Sequence, residues 1–246
     1  MKSNLYDRKL KMFFVNESLE KEPLDIGRAR TFTPGWLENQ SIWLHMEYKY
    51  LLELIKSGLY EDYFENIENA LVPYLKPEVY GRSIFENSSF IASSVHPDKS
   101  IHGNGFYARL SGSTAEFVHM WILMFVGDKP YFVDKSNKLC FQVKPVLKKE
   151  YFLKKDEIIR YYSPEGVLKE ETLKKGTLKF MLHGKIPVTY INVLNKSTFG
   201  DTGVKPSKYE IKLNDGKIVE FNNFVTEPYA HLIRERKVSE ITVYFK

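Results

Sequence analysis

The sequence predicts an α+β fold in which helices come first and an antiparallel β domain follows. In the first half of the chain, apolar residues recur three and four positions apart, which is the spacing of one helical face. Beyond Gly127 the apolar period changes to two, which is typical of strands with one buried face. We therefore expect a helical region over residues 1–127 and a β domain over residues 128–246.

Two amphipathic helices should form a hairpin in the helical region. One apolar face runs over residues 44–55 and a second over residues 63–74. The intervening Ser57-Gly58-Leu59 is short enough to join two antiparallel helices. The connection over residues 77–112 is rich in Gly, Ser, Asn and His and is longer than most loops, so we interpret it as functional.

A third helix should begin at Ser113. Ser113 and Glu116 have the spacing of a capping box, and residues 117–125 are apolar nearly all round. This pattern predicts a buried helix. His119, which lies on it, is then expected to be a hydrogen-bonded core residue rather than a catalytic base.

The β domain carries a clear hairpin signal at Asn214-Asp215-Gly216, which lies between two runs of alternating apolar residues. A last strand over residues 241–245 should close the domain. The single cysteine, Cys140, lies in an apolar stretch and is expected to be a strand residue rather than a nucleophile. A disulfide within one chain is excluded.

Composition limits the classes of partner. The 36 Lys and Arg against 31 Asp and Glu give a net charge of +5, which favours anionic ligands but does not require nucleic acid. No apolar run approaches the roughly 20 residues of a membrane span, so we expect neither a membrane nor a nucleic-acid partner and a cytoplasmic location. The six histidines show no paired ligand spacing, so we expect no metal and no bound cofactor.

The first segment that could carry chemistry covers residues 33–45. It places Glu38, Asn39 and His45 beside two tryptophans at a loop-to-helix junction. Sugar sites use such groups, because aromatic faces stack on the ring and polar side chains bind the hydroxyls. In the structural alternative, Asn39 or Ser41 caps the helix and the tryptophans belong to the core.

The second segment covers residues 102–114. Its glycine-rich turn brings hydroxyl groups and Arg109 to the start of the helix expected at Ser113. Helix N-termini bind anions through free N–H groups and the helix dipole, so a phosphate could bind here. In the structural alternative, Ser113 caps the helix and Arg109 faces solvent.

Each segment contains a sequence motif. The first has PG-x-x-EN-x-x-I-x-x-H, formed by Pro34, Gly35, Glu38, Asn39, Ile42 and His45. The second has G-x-G-x-Y-x-x-L-[ST]-G-[ST], formed by Gly103, Gly105, Tyr107, Leu110, Ser111, Gly112 and Ser113. In this order, and followed by strands, they resemble the C-terminal part of glycoside hydrolase family 94, the cellobiose and chitobiose phosphorylases and their relatives. Glu86 falls where that family has a Glu-Pro pair.

The resemblance implies a fold and an activity. The helices would form the C-terminal portion of a six-hairpin α/α barrel, and the strands would form an antiparallel β-sandwich. The implied reaction is phosphorolysis of a β-linked glucoside to a sugar 1-phosphate: an acid protonates the glycosidic oxygen while phosphate, the co-substrate, attacks from the opposite face. The residues carried over are Glu38, Asn39 and Glu86 for the sugar, and His45, Ser111 and Gly112 for phosphate. Arg109 is added on physical grounds, because a cation beside an oxyanion is favourable.

The resemblance supplies no catalytic acid to this chain. The family's catalytic Asp lies well upstream of the first pattern, and 37 residues precede Glu38. We therefore expect a C-terminal portion that acts on an oligosaccharide and phosphate together with an N-terminal half or a second copy of the chain. Two alternatives stay open: a noncatalytic carbohydrate-binding remnant and a glycoside hydrolase that uses water.

Overall fold

A computed structural model describes residues 4–108, 112–163 and 165–246. The chain divides into two compact units, Met1–Trp121 and Ile122–Lys246. The first unit carries most of the helical residues and two small sheets, and the second is rich in strands. The division comes slightly before Gly127, where the sequence changes its apolar period.

The first unit contains the expected helical hairpin. Its two helices pack through fully buried side chains, among them Tyr48 and Leu51 on one helix and Tyr63 and Ile67 on the other. The second helix ends at Ala70, before a proline that lacks the N–H needed to continue it. The helices of the chain are α1 Leu44–Lys56, α2 Tyr60–Ala70, α3 Pro77–Tyr80, α4 Gly112–Phe125 and α5 Tyr229–Arg234.

Two small sheets complete the first unit. One is a hairpin of β1 Tyr6–Asp7 and β2 Met12–Phe13. The other is antiparallel and has the order β3 Ile42–Trp43, β4 Ser88–Ile91 and β5 Gly105–Ala108. The described part of the connection over residues 77–112 therefore contains the short helix α3 and the strands β4 and β5, which the sequence did not predict. Each strand has four residues, too few for a period of two to stand out.

The carboxylate of Asp7 anchors the N-terminal hairpin. It is buried and accepts hydrogen bonds from the backbone of Lys9 and Leu10, at 2.9 and 3.2 Å, which fixes the turn. It also accepts two bonds of 2.8 Å from the backbone N–H and the hydroxyl of Ser94. Four donors offset the cost of burying this group, so the hairpin is held to the rest of the first unit.

The second unit is built on a five-stranded sheet. Alternating residues of its strands are buried, for example Ile186, Val188 and Tyr190, so the predicted period of two corresponds to one covered face. The strands of this unit are β6 Tyr131–Val133, β7 Leu139–Phe141, β8 Glu157–Tyr162, β9 Leu168–Leu173, β10 Thr177–Leu182, β11 Ile186–Ile191, β12 Pro206–Leu213, β13 Ile218–Asn222 and β14 Val238–Phe245. The sheet order is β10-β11-β14-β12-β13, and β6–β7 and β8–β9 form separate hairpins.

Pairing in this sheet is mostly, but not wholly, antiparallel. The β12–β13 hairpin turns at the expected Asn214-Asp215-Gly216, and the last strand lies at the centre of the sheet. However, β14 pairs with β11 in parallel, whereas the sequence predicts antiparallel pairing throughout. Turn signals give the direction of neighbouring strands only, so a pairing between distant strands carries no local signal. Cys140 is a buried residue of β7, as predicted.

The prediction that α4 is wholly buried is wrong. Met120 and Met124 are inaccessible to solvent, but Val118 and Ile122 are 49% and 46% exposed. His119 is also exposed, so the prediction of a core histidine is wrong as well. The apolar sequence around the helix indicated burial on all sides, whereas the structure covers only one side.

Candidate functional site

The two candidate segments are joined through the chain that follows β4. Ser93 donates a backbone hydrogen bond of 3.2 Å to the carbonyl of Gly35 in the first segment. Its neighbour Ala92 bonds with the second segment in both directions, to the carbonyl of Asn104 at 3.0 Å and from the N–H of Gly103 at 2.9 Å. Residues 33–45 and 102–108 therefore belong to one local framework.

An aromatic cluster, defined here as Trp36, Trp43, Phe90 and Phe106, lies on this framework. Trp43, Phe90 and Phe106 stand opposite one another across β3, β4 and β5, and their rings stack at centroid distances of 6.3 and 5.6 Å. Trp36 packs edge-on against Phe106 at 4.4 Å. Phe90 is fully buried while both tryptophans are partly exposed, so the cluster is part core and part surface.

Glu38 and Asn39 each leave one acceptor oxygen without a hydrogen-bond partner among the described residues. Glu38 receives a 2.7 Å hydrogen bond from Arg28 at Oε1, and its enclosed Oε2 has no donor. Asn39 is 4% exposed and donates from Nδ2 to the carbonyl of Phe32 at 2.7 Å, which leaves Oδ1 enclosed and unbonded. Buried acceptors of this kind require a donor, and sugar hydroxyls are donors.

The structural alternative for this segment, helix capping, is not observed. The helix begins at Leu44 with Trp43 at the N-cap, and no side chain of the described residues caps it there. Asn39 is tied to the turn before β3, and the hydroxyl of Ser41 donates to the carbonyl of Leu37.

Glu86 lies in the loop before β4 and pairs with Arg82. Both side chains are about one-third exposed. The next residue, Asn87, accepts a 3.1 Å hydrogen bond from the hydroxyl of Tyr48 on α1 and donates one of 3.4 Å to Thr114 on α4. The loop with Glu86 is therefore held beside the start of α4.

On the phosphate side, the structure brings His45 and Gly112 together. A Cβ built on Gly112 would lie 2.5 Å from both Nδ1 and Cε1 of the His45 ring, so a larger residue would displace the imidazole. Gly112 is also the first residue of α4, where backbone N–H groups lack partners within the helix. Arg109 and Ser111, the other two predicted phosphate residues, lie outside the described residues.

Glu116 lies beside one of the predicted phosphate residues, a position that the sequence did not predict. Its Oε1 lies 3.6 Å from Nε2 of His45, so a carboxylate stands beside the imidazole. The sequence assigned Glu116 to a capping box. The available signal was the position of Glu116 one turn into α4, because the start of that helix is the predicted anion site.

The most strongly perturbed acid in the first unit lies elsewhere, on α1. Burial raises the pKa of Glu47 from 4.5 to about 8, although the backbone N–H of Phe13 donates to Oε2 at 3.0 Å. Its Oε1 has no partner among the described residues. Perturbed acids mark functional sites often enough to be considered. Because Glu47 is 2% exposed and its carboxylate receives its hydrogen bond from Phe13, which lies outside both segments, we expect its effect to be on stability.

A cavity of about 330 Å³ also lies in the first unit. It is lined partly by the N-terminal hairpin, with Lys9, Leu10 and Met12, and partly by the chain around Tyr74 and Lys76. Of its lining residues, Gly103 belongs to the second segment and none belongs to the first. The cavity is thus a separate feature from the predicted half-site.

The structure was searched for metal ligands and membrane-spanning helices. No group of three metal-binding side chains occurs within residues 4–108, 112–163 and 165–246. In the same part of the chain, no helix has the length and apolar character to cross a membrane. Comparison with known protein families gives no match to the chain, and comparison with curated proteins gives none either.

Proposed function

We propose that the first unit binds an oligosaccharide and inorganic phosphate in a half-site related to that of the inverting glycoside phosphorylases. The observation that carries the proposal is the pair of enclosed acceptors at Glu38 Oε2 and Asn39 Oδ1, which have no hydrogen-bond partner in the part of the chain that the structure describes. Two adjacent residues that the sequence pattern assigns to a sugar each retain one acceptor for a hydroxyl. The partly exposed tryptophans of the aromatic cluster provide apolar surface next to them.

Phosphate binding is supported by the contact between His45 and Gly112. Backbone N–H groups at the start of α4 have no partner within the helix, and the helix dipole favours negative charge there. The imidazole, packed against that glycine, adds a hydrogen-bond donor. Glu86, held beside the start of α4 through Asn87, would bind the sugar between the two parts.

The proposed reaction is phosphorolysis of a β-linked glucoside to a sugar 1-phosphate. Phosphate attacks the anomeric carbon while a carboxylic acid protonates the departing oxygen, so no general base is required. The catalytic acid is not a residue of this half-site and would come from a partner segment or a partner subunit of the barrel. Binding, rather than turnover, is therefore the property that tests the half-site.

Gly112→Ala should weaken phosphate binding about tenfold while leaving the affinity for cellobiose within about twofold. The helical backbone at this position accepts alanine, so the effect comes from displacement of His45 and loss of one hydrogen bond to a charged group. Isothermal titration calorimetry measures the affinity for cellobiose, and an NMR titration of the His45 imidazole signals measures the affinity of the half-site for inorganic phosphate. Val118→Ala, on the exposed side of the same helix, is the control. Equal loss of both ligands would indicate misfolding and would count against the assignment.

Glu38→Gln should have the opposite selectivity, with cellobiose affinity reduced about tenfold and phosphate affinity nearly unchanged. The amide is a weaker acceptor than the carboxylate for a sugar hydroxyl, and removal of the Arg28 pair on the surface costs little stability. The same calorimetric titration with cellobiose and NMR titration with phosphate apply, with the exposed Glu61→Gln as the control. Should phosphate affinity fall more than cellobiose affinity, the roles of the two segments would be reversed.

A second candidate function is carbohydrate binding without phosphate. The observation that favours it is the carboxylate of Glu116, 3.6 Å from His45, because a negative charge beside the imidazole opposes a phosphate dianion. Under this function, cellobiose binds with the same affinity at any phosphate concentration. Under the proposed function, phosphate also binds to the half-site and shifts the imidazole signals of His45, whereas under the second function these signals do not respond to phosphate.

A further inference from the structure

A second cluster of polar side chains lies in the second unit, at one end of the five-stranded sheet. The turn over residues 183–185 leads into β11, and residues 234–237, the end of α5 and the turn after it, lead into β14. Because β11 and β14 are parallel, with Val188 opposite Ile241, the starts of both strands lie at the same end of the sheet. The two turns are therefore neighbours.

A third element completes the cluster. The hydroxyl of Tyr131, on β6, lies 2.8 Å from Nε2 of His183, and the two rings stack at a centroid distance of 5.9 Å and an angle of 14°. The β6–β7 hairpin also contacts α5, the helix that ends at Arg234. The anion cluster, defined as Tyr131, His183, Arg234 and Arg236, thus combines side chains from three elements.

The two arginines of this cluster have no carboxylate partner within the described residues. Both are exposed, and the nearby Glu235 pairs instead with Lys237 at 2.6 Å. The positive charges also act on their neighbours: burial and, after it, Arg236 lower the pKa of His183. A neutral ring that accepts a hydrogen bond from the Tyr131 hydroxyl at Nε2 carries its own proton, and so presents a donor, at Nδ1.

The charge of the whole unit favours the same class of ligand. Residues 122–246 contain 23 Lys and Arg but 15 Asp and Glu, whereas residues 1–121 contain 13 and 16. The positive excess of the chain therefore belongs to the second unit. Such an excess attracts anions and raises their local concentration at exposed guanidinium groups.

We propose that the anion cluster binds an oxyanion of the phosphate or sulfate type. A tetrahedral oxyanion has enough acceptor oxygens for two guanidinium groups and an imidazole N–H, and Arg forms bidentate bonds with such groups. Tyr131 acts as a positioning residue, because its hydroxyl fixes the orientation of the His183 ring. This site is distinct from the half-site of the first unit and does not depend on it.

The test is an NMR titration of the full chain with inorganic phosphate and, separately, with inorganic sulfate, in the Gly112→Ala background. We follow the imidazole signals of His183, so that binding near His45 is not counted. Both anions should shift these signals, and the double variant Arg234→Gln/Arg236→Gln should weaken the binding about tenfold or more. Shifts with one anion alone would still support the site and would identify which of the two it takes.

The matched control is Lys196→Gln/Lys246→Gln, which removes two charges at the opposite end of the sheet and should change the affinity by less than about twofold. Arg236→Lys keeps the positive charge but removes the planar guanidinium group, so it should show an intermediate loss of anion affinity. This single variant tests the proposal even if the double variant does not fold. The proposal is overturned if the His183 signals do not respond to either anion, or if the control variant loses as much affinity as the arginine variant.

Discussion

Replacing Glu47 with glutamine should raise the free energy of unfolding by about 4 kcal/mol at pH 8 and leave it almost unchanged at pH 4. The carboxyl group is enclosed on α1, and burial raises its pKa from 4.5 to about 8. Between pH 4.5 and pH 8, the carboxyl group of Glu47 stays protonated in the folded chain but ionises in the unfolded chain. Stability due to this group therefore falls as pH rises from 4.5 to 8, at about 1.4 kcal/mol per pH unit.

Glutamine removes this dependence because its amide is neutral at every pH and still offers an oxygen to the N–H of Phe13. Chemical denaturation of the wild type and the variant between pH 4 and pH 8 measures the difference. Glu53→Gln, on the exposed side of the same helix, is the control and should change stability by less than about 1 kcal/mol. A Glu47→Gln protein that is less stable than wild type at pH 8 would contradict a buried, protonated carboxyl group.

Phe90→Ala should reduce the free energy of unfolding by about 3–5 kcal/mol, the usual cost of removing a large buried aromatic ring. Phe90 is fully buried and its ring contacts Trp36, Trp43 and Phe106, so its loss opens a cavity at the centre of the aromatic cluster. Urea denaturation measures the loss, and Phe85→Ala is the matched control.

The control at Phe85 removes the same side chain from a position that is 94% exposed, so its effect should stay within about 0.5 kcal/mol. If the two variants were equally stable, the aromatic cluster would not be part of the core of the first unit. If the Phe90→Ala protein folds, a reduced affinity for cellobiose would show that the aromatic cluster also supports the sugar side of the half-site.

The sequence predicted those elements whose signals are local. The helical hairpin of α1 and α2 follows from apolar spacing, and the β12–β13 hairpin follows from an Asn-Asp-Gly turn between alternating runs. The strands β4 and β5 were missed because four residues in a glycine-rich connection show no clear period. The parallel pairing of β11 with β14 depends on residues about 50 positions apart, for which no turn signal exists.

The candidate site was predicted in a similar way. The family resemblance assigned His45 and Gly112 to phosphate from two separate motifs, and the structure places the ring of His45 against Gly112. The same reading did not find that Glu116 faces His45, because helical spacing places Glu116 one turn from the cap but does not say which neighbouring helix it meets. It also did not find the anion cluster, whose four residues come from three distant parts of the chain.

The central claim, that the first unit binds sugar and phosphate together, is tested most directly by calorimetric titration of the Arg234→Gln/Arg236→Gln chain, in which the anion cluster is disabled. The ligands are cellobiose and inorganic phosphate, each alone and each in the presence of the other. The account predicts that both ligands bind and that saturation with one leaves a site for the other, so that each titration still gives one site per chain. Binding of phosphate to the Gly112→Ala variant should be weakened in the same experiment. Failure of cellobiose to bind, or displacement of cellobiose by phosphate, would contradict the account.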